Sequence, residues 1–92
     1  MKAKELRMKN AMERSLNIMS PVVEQNGMYF DDVIYNENEF RLKLFKSDKE
    51  GDETLVAEMI FRYNEDDVWG RTFDEQLACK TVEFLENTVL RG

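Results

Sequence analysis

The stretch FRLKLFK, residues 40–46, decides the fold because apolar side chains alternate strictly with mixed, mostly basic ones along it. The apolar face holds Phe40, Leu42 and Leu44, and the opposite face holds Arg41, Lys43 and Phe45. A period of two with one polar face is typical of an antiparallel strand that is covered on one side. We therefore predict a strand over residues 39–46.

The stretch TLVAEMIFRY, residues 54–63, has the same period and predicts a second strand. One face carries Leu55, Ala57, Met59, Phe61 and Tyr63, and the other carries Val56, Glu58, Ile60 and Arg62. The polar segment SDKEGDE, residues 47–53, connects the two strands and is broken by Gly51. An earlier strand is predicted over residues 28–35, although Asp31 and Asp32 fall on both of its faces.

A helical period precedes these strands and predicts a first helix over residues 3–20. Its apolar arc consists of Met8, Ala11, Met12, Leu16, Ile18 and Met19. Pro21 disfavours helical geometry at Ser20, so the helix is expected to end or kink there, with 21–26 as a short second piece before Gly27. The methionines would suit an adaptable binding surface, but burial in the core is the preferred interpretation.

A second helix is predicted over residues 72–90, where Thr72 and Glu75 have the spacing of a capping box and Asp74 adds a first-turn carboxylate. One half of this helix is largely apolar and contains Phe73, Leu77, Ala78, Thr81, Val82, Phe84, Leu85, Thr88 and Val89. The fold class that follows is a single α+β domain over residues 1–92, in the order α-β-β-β-α. Three antiparallel strands form a meander packed on two helices, and Val68 with Trp69 is the candidate for a short fourth strand.

The net charge of −6 is unevenly distributed. Residues 1–14 contain five basic and two acidic residues, whereas residues 15–92 contain eight basic and seventeen acidic ones, so the body carries −9. A strongly acidic body repels nucleic acid and favours a protein partner with a basic surface. The single cysteine and the absence of a long apolar run or an apolar leader predict a cytoplasmic protein with no membrane partner.

The residue types exclude most kinds of active site, so we expect no enzyme, no cofactor and no metal site. The chain has no histidine and its four glycines are scattered, which leaves neither the commonest general base nor a phosphate-binding loop. Cys79 has no histidine to activate it. A calcium-binding loop starting at Asp48 would need glycine and glutamate where the sequence has Glu53 and Met59.

The stretch YNEDDVWGRTFDEQ, residues 63–76, contains the only tryptophan beside a cluster of carboxylates. Trp69 is interpreted first as a plug at the core or the sheet edge, and alternatively as a hot spot for protein binding. The candidate partner-binding residues of this stretch are Glu65, Asp66, Asp67 and Trp69.

Two alternatives remain open. The face of the sheet away from the helices would combine apolar and basic groups and could hold a second copy of the chain; its residues are Arg41, Lys43, Phe45, Val56, Ile60 and Arg62. The basic start of the chain could bind nucleic acid weakly through Lys2, Lys4, Arg7, Lys9 and Arg14.

The order of elements resembles that of the double-stranded-RNA-binding domain, with residues 40–86 matching its three strands and last helix. That family grips phosphate through lysines at the start of the last helix. Here the segment reads Thr72, Phe73, Asp74 and Glu75, with Arg71 the only basic neighbour. Carboxylates at this point would repel a duplex, so RNA binding of that kind is not expected.

The same layout with an acidic body resembles certain small phage-encoded inhibitors, the anti-CRISPR proteins. Those carry a helix, a three-stranded meander and a further helix, and present carboxylates where a target expects DNA phosphates. The resemblance implies a non-enzymatic inhibitor or adaptor whose acidic groups meet arginines and lysines of a target. Besides Glu65, Asp66 and Asp67, it implies partner contacts for the other acidic turns and for the acidic row of the second helix. These residues are Asp31, Asp32, Asp48, Glu50, Asp52, Glu53, Glu75, Glu83 and Glu86.

Overall fold

The computed structural model describes residues 2–90, which form two helices and three strands. In chain order these are α1 (Ala3–Gln25), β1 (Met28–Tyr35), β2 (Glu39–Ser47), β3 (Glu53–Arg62) and α2 (Phe73–Thr88). The predicted α+β class, the order α-β-β-β-α and the single domain are confirmed for this part of the chain. Positions 1, 91 and 92 of the predicted domain lie outside the described residues.

The three strands form one antiparallel sheet in the order β1-β2-β3. Phe40 pairs with Phe61 and Leu42 pairs with Met59, and these four side chains are buried as their alternation predicts. Val68 and Trp69 lie in turns between β3 and α2 and do not form a fourth strand.

A bulge in β3 changes the predicted faces of that strand. Leu44 pairs with Ala57 but Phe45 pairs with Leu55, so Val56 is an extra residue between the two pairs. Such an insertion reverses the alternation beyond it, since two residues oppose one on the partner strand. Leu55 was predicted to share the face of Ala57, and this was wrong: Leu55 is exposed on the opposite face, beside Phe45.

A second irregularity, in β1, explains why its alternation is poor. The register with β2 shifts between Asp31 and Ile34, and Asp32 has a φ of 53°. Aspartate tolerates this left-handed geometry better than most residues because its short side chain bonds locally. In addition, the neighbouring Asp31 carboxylate accepts a hydrogen bond from the backbone N–H of Asp32 at 2.8 Å, while the Asp32 carboxylate accepts from Lys43.

Both helices cover the same face of the sheet, where the core lies. Met8, Met12 and Met19 of α1 are buried, which confirms the core interpretation of the methionine stripe. The helices meet through a buried hydrogen bond of 2.7 Å between the hydroxyls of Ser15 and Thr81. Neither helix in residues 2–90 combines the length and apolar character needed to cross a membrane.

The first helix does not end at Pro21 but continues to Gln25, and Gly27 follows with a φ of 72°. A proline inside a helix costs about 3 kcal/mol because it removes one hydrogen bond and crowds the preceding turn. Here Met19 and Val23, on either side of the proline, are fully buried, and their burial offsets that cost. The carbonyl that loses its partner belongs to Asn17, which is exposed, so it can reach water.

Some residues assigned to the apolar sides of the helices are exposed. Ile18 of α1 is 59 % exposed, and Ala78 and Val82 of α2 also face solvent.

The predicted capping box of α2 is present: the Thr72 hydroxyl accepts from the Glu75 backbone N–H, and the Glu75 carboxylate accepts from the Thr72 backbone N–H.

Candidate protein-binding loop

The segment between β3 and α2 presents two large apolar side chains to solvent. We call residues 64–70 the tryptophan loop. Val68 is 88 % exposed and Trp69 is 79 % exposed, so the interpretation of Trp69 as a core or edge plug was wrong. Apolar side chains of this size are usually buried, and a cluster of exposed ones is typical of an interaction site.

The reason that Trp69 stays outside lies at the neighbouring end of the core. Phe73 packs edge-on against Phe61 and Tyr63, with ring centroids 5.4 and 5.3 Å apart. The guanidinium of Arg7 lies over the Phe73 ring, 4.4 Å from its centroid. These side chains, and not the indole of Trp69, therefore pack together at that end of the core.

Gln76 of α2 fixes the start and the end of the tryptophan loop. Its amide oxygen accepts a hydrogen bond from the Asn64 backbone N–H at 2.9 Å. Its amide nitrogen donates to the carbonyl oxygens of Asn64 at 2.8 Å and of Arg71 at 2.9 Å. Because Gln76 is itself buried on a helix, the ends of the loop are anchored to the domain.

Asp67 and Arg71 form a second anchor. The Asp67 carboxylate accepts from the Arg71 backbone N–H and Nε at 2.9 and 3.1 Å through Oδ2, and from Nη2 at 2.9 Å through Oδ1. The side-chain hydrogen bonds from Arg71 are the main cause that lowers the pKa of Asp67 from 3.8 to about 2. The charge of Asp67 is therefore compensated within the chain, whereas Glu65 and Asp66 are exposed.

The other predicted acidic residues lie elsewhere, and the structure does not bring the whole set together. Asp31 lies at the β1 bulge and pairs with Lys43 of β2, which in turn pairs with Glu58 of β3. The three residues therefore lie at the same level along the sheet. The tryptophan loop begins six residues beyond Glu58, which corresponds to about 20 Å along an extended chain. Asp31 and Asp32 therefore form a separate acidic site at the far edge of the sheet.

Several of these carboxylates already have partners in the chain. Asp32 accepts from the Lys43 ammonium at 3.5 Å, and Glu83 lies 3.7 Å from the Lys80 ammonium. Glu75 serves the capping box described above. Glu86 is exposed about 16 Å further along α2 than Glu75, from eleven residues at helical rise.

The basic start of the chain also contacts the body. Lys2 lies 4.0 Å from the Glu37 carboxylate and Arg14 donates to Asp74 at 3.1 Å. Arg7 stacks on Phe73 as described above. These contacts engage three of the five basic side chains that the nucleic-acid alternative requires.

We call the face of the sheet that points away from the helices the outer sheet face. Its residues are Tyr29, Asp31 and Ile34 of β1, Glu39, Arg41, Lys43 and Phe45 of β2, and Leu55, Glu58, Ile60 and Arg62 of β3. Exposed apolar groups lie at Ile34, Leu55 and Ile60, and Phe45 stacks on Tyr29 with centroids 5.9 Å apart. The predicted mixture of apolar and basic groups is therefore present on this face, with Leu55 in addition. Val56, also predicted here, is the extra residue of the bulge and is exposed.

Glu39 is the residue of this face that sequence reasoning missed. It is buried and forms ion pairs with the guanidinium groups of Arg41 and Arg62, at its two carboxylate oxygens. Hydrogen bonds from Arg41 and then Arg62 hold the pKa of Glu39 below its ordinary value. Its position two residues before Arg41 in an alternating strand was the available signal.

Two further chemical groups have structural explanations. The carboxylates of Asp48, Glu50 and Asp52 lie within 4.8 Å of one another and are exposed. The Asp48 carboxylate also accepts from the backbone N–H groups of Glu50 and Asp52, so it organises the turn. Cys79 is exposed on α2, as its position on the polar half of that helix predicts.

Comparisons of the chain with protein-family models, with curated proteins and with solved structures each found no match. The assignment of function therefore depends on the geometry of the tryptophan loop and the outer sheet face.

Proposed function

We propose that this chain is a non-enzymatic protein-binding module that docks through the tryptophan loop on a basic surface of a partner protein. The observation that carries the proposal is the exposure of Trp69, at 79 %, on a loop whose two ends are hydrogen-bonded to α2. The partner surface that fits is an apolar pocket with lysine and arginine side chains around it.

The anchored loop is suited to binding because its backbone is already held in place, so little conformational entropy is lost when a partner binds. Association normally costs about 0.5–1.5 kcal/mol for each flexible side chain that becomes fixed, in addition to any ordering of the backbone. Gln76 and the Asp67–Arg71 pair already hold the backbone on both sides of Trp69. A buried tryptophan contributes about 150–250 Å² of contact area and is the residue most enriched at hot spots.

The charges around Trp69 indicate the kind of partner. Glu65 and Asp66 are exposed beside it, and residues 15–92 carry an excess of nine negative charges. Such a field accelerates encounter with a basic surface and slows encounter with an acidic one. Extended basic surfaces are typical of proteins that bind nucleic acid, so we propose an inhibitor or adaptor that occupies such a site.

The test compares two exposed apolar side chains on different surfaces. The chain is used as bait in a lysate of its native host, with and without nuclease, and the protein retained in the presence of nuclease is purified for affinity measurements. We expect Trp69→Ala to weaken binding by about thirtyfold or more, as for a hot-spot residue. Ile18→Ala is the matched control, since Ile18 is also more than half exposed but lies on α1.

Equal affinity of the Trp69→Ala variant and the native chain would contradict the proposal. Recovery of RNA or DNA alone, lost on nuclease treatment, would contradict it as well and would transfer the function to the basic residues of α1. Circular dichroism of both variants checks that each retains the fold.

A further inference from the structure

The outer sheet face has a pattern of charge that is complementary to itself. In the β2–β3 ladder, Phe45 pairs with Leu55 and Lys43 pairs with Glu58. Further along, Arg41 pairs with Ile60 and Glu39 pairs with Arg62. Each cross-strand pair on this face is thus apolar, oppositely charged, or a cation beside an aliphatic group.

We propose that two copies of the chain associate face to face through the β2 and β3 parts of the outer sheet face. The two-fold axis lies in the interface, parallel to the strands and midway between β2 and β3. This surface is distinct from the tryptophan loop and leaves Trp69 free for a partner.

The axis reproduces the ladder pairing between the two copies. It places β2 of one copy over β3 of the other, at the same level along the strands. Lys43 then faces Glu58 of the second copy, and Phe45 faces Leu55 of the second copy. Because the operator is two-fold, each contact occurs twice. The stem of Arg41 covers Ile60 of the second copy while its guanidinium stays at the rim.

An axis parallel to the strands but centred on β2 would be unfavourable. It would place Arg41 and Lys43 of one copy over the same cations of the other. Like charges that face each other across an interface disfavour association strongly. A shift towards β1 would bring the Asp31–Asp32 bulge into the contact, and the irregular strand there packs poorly. The β2–β3 half is the complementary choice.

The size of the contact sets the strength of the dimer. Two strands at the usual spacing are about 10 Å wide, and the seven residues 39–45 are about 24 Å long. The contact is therefore smaller than the roughly 800 Å² per partner of a standard stable interface. We expect a weak dimer that dissociates on dilution, with the exposed Leu55 and Ile60 supplying its apolar area.

Sedimentation velocity over a wide range of protein concentration tests whether the dimer exists. We expect the native chain to move from monomer to dimer as concentration rises, and Ile60→Glu to weaken the association at least tenfold. Ile18→Glu is the control, because it introduces the same charge at an exposed isoleucine of α1. A native chain that stays monomeric at every concentration would overturn the proposal.

Charge exchange between residues 43 and 58 tests the arrangement itself. Lys43→Glu alone and Glu58→Lys alone should each be monomeric, since each places like charges opposite one another in both contacts. An equimolar mixture of the two variants should form a heterodimer, because both contacts then join opposite charges. A local effect on folding in either variant would not produce this rescue. If a reversed charge prevents folding, Lys43→Gln replaces Lys43→Glu and Glu58→Gln replaces Glu58→Lys. Both neutral variants should dimerise more weakly than the native chain.

A mixture of the charge-reversed variants that remains monomeric would overturn the face-to-face arrangement, as would neutral variants that dimerise like the native chain. The proposal would also be overturned if the native chain is monomeric and a host protein binds it but not the Ile60→Glu variant. The outer sheet face would then be the binding site of that protein. Trp69→Ala should leave the dimer unchanged, so that failure here is distinguishable from failure of the proposed function.

Discussion

The two acidic connections of the molecule, residues 48–52 between β2 and β3 and the tryptophan loop between β3 and α2, begin from the same turn chemistry. In each an Asp or Asn side chain accepts from nearby backbone N–H groups: Asp48 from Glu50 and Asp52, and Asn64 from Asp66. In each a glycine adopts a positive φ, 85° at Gly51 and 65° at Gly70.

The two connections differ in what they are attached to and in what they expose. The hydrogen bonds of the first lie within residues 48–52, and the side chains it presents are charged. The tryptophan loop is bonded to α2 through Gln76 and exposes Val68 and Trp69. A turn that only reverses the chain needs neither feature. This contrast is the reason that we propose the tryptophan loop, and not the turn at residues 48–52, as the binding site.

Among changes within the two connections and their anchors, the largest effect on stability is expected when the anchor of the tryptophan loop is removed. Gln76→Ala deletes three hydrogen bonds, and at about 1 kcal/mol each the free energy of unfolding should fall by about 2–3 kcal/mol. Asp48→Ala is the matched change in the other connection and should cost about 1 kcal/mol, since its two bonds are exposed. Urea unfolding measures both. Equal losses would remove the distinction between the two connections.

A smaller effect is expected from the Asp67–Arg71 pair, and it depends on pH. The pKa of Asp67 is about 2 in the folded chain and about 3.8 ordinarily, so the pair stabilises the fold above pH 3.8. This contribution is lost as the pH falls from about 4 to about 2, when the unfolded chain takes up the proton first.

The variant Asp67→Asn should therefore lose less stability than the native chain between about pH 5 and about pH 2.5, compared by urea midpoints. Glu39, whose pKa is also lowered, supplies pH dependence that both proteins retain. Identical pH profiles for the two proteins would show that Arg71 does not stabilise the ionised carboxylate.

Charge reversal should separate the connections in binding. Glu65→Lys with Asp66→Lys should slow association with the captured partner by about tenfold at low salt, because the charges beside Trp69 steer the encounter. Glu50→Lys with Asp52→Lys changes the net charge equally in the other connection and should have a smaller effect. Stopped-flow association rates at two salt concentrations measure both. Equal slowing would indicate that total charge, and no particular site, attracts the partner.

The smallest effect concerns stability at Trp69. Trp69→Ala should change the free energy of unfolding by less than about 0.5 kcal/mol, since an exposed side chain contributes little to the fold. Phe73→Ala, in the core beside it, should cost about 3–5 kcal/mol. Urea unfolding of the two variants provides the comparison. A large loss in Trp69→Ala would return Trp69 to a structural role.

The sequence was sufficient for the architecture because its strongest patterns are local. The alternation of Phe40, Leu42 and Leu44 is realised without interruption, and all three are fully buried. The spacing of Thr72 and Glu75 located the start of α2 for the same reason: both partners of the capping box lie within one turn.

The remaining features depend on tertiary contacts that no local pattern contains. The bulge at Val56 turned Leu55 outward, and burial on both sides of Pro21 kept α1 continuous. The position of Trp69 depended on whether Phe73 already filled the end of the core, which only the packed structure decides. The same limit applies to the candidate site. The sequence shows which residues are acidic, but it does not show which of these residues lie close together in the folded chain.

The exposed tryptophan allows binding at the tryptophan loop to be measured directly. The chain contains one tryptophan, so a sample grown with fluorotryptophan gives a single ¹⁹F resonance that reports on Trp69 alone. In the free chain this resonance should have the position and solvent sensitivity of an exposed indole. Addition of the captured partner should shift and broaden it and remove its sensitivity to solvent. An unchanged resonance in a sample where the partner is fully bound would show that the tryptophan loop is not the binding site.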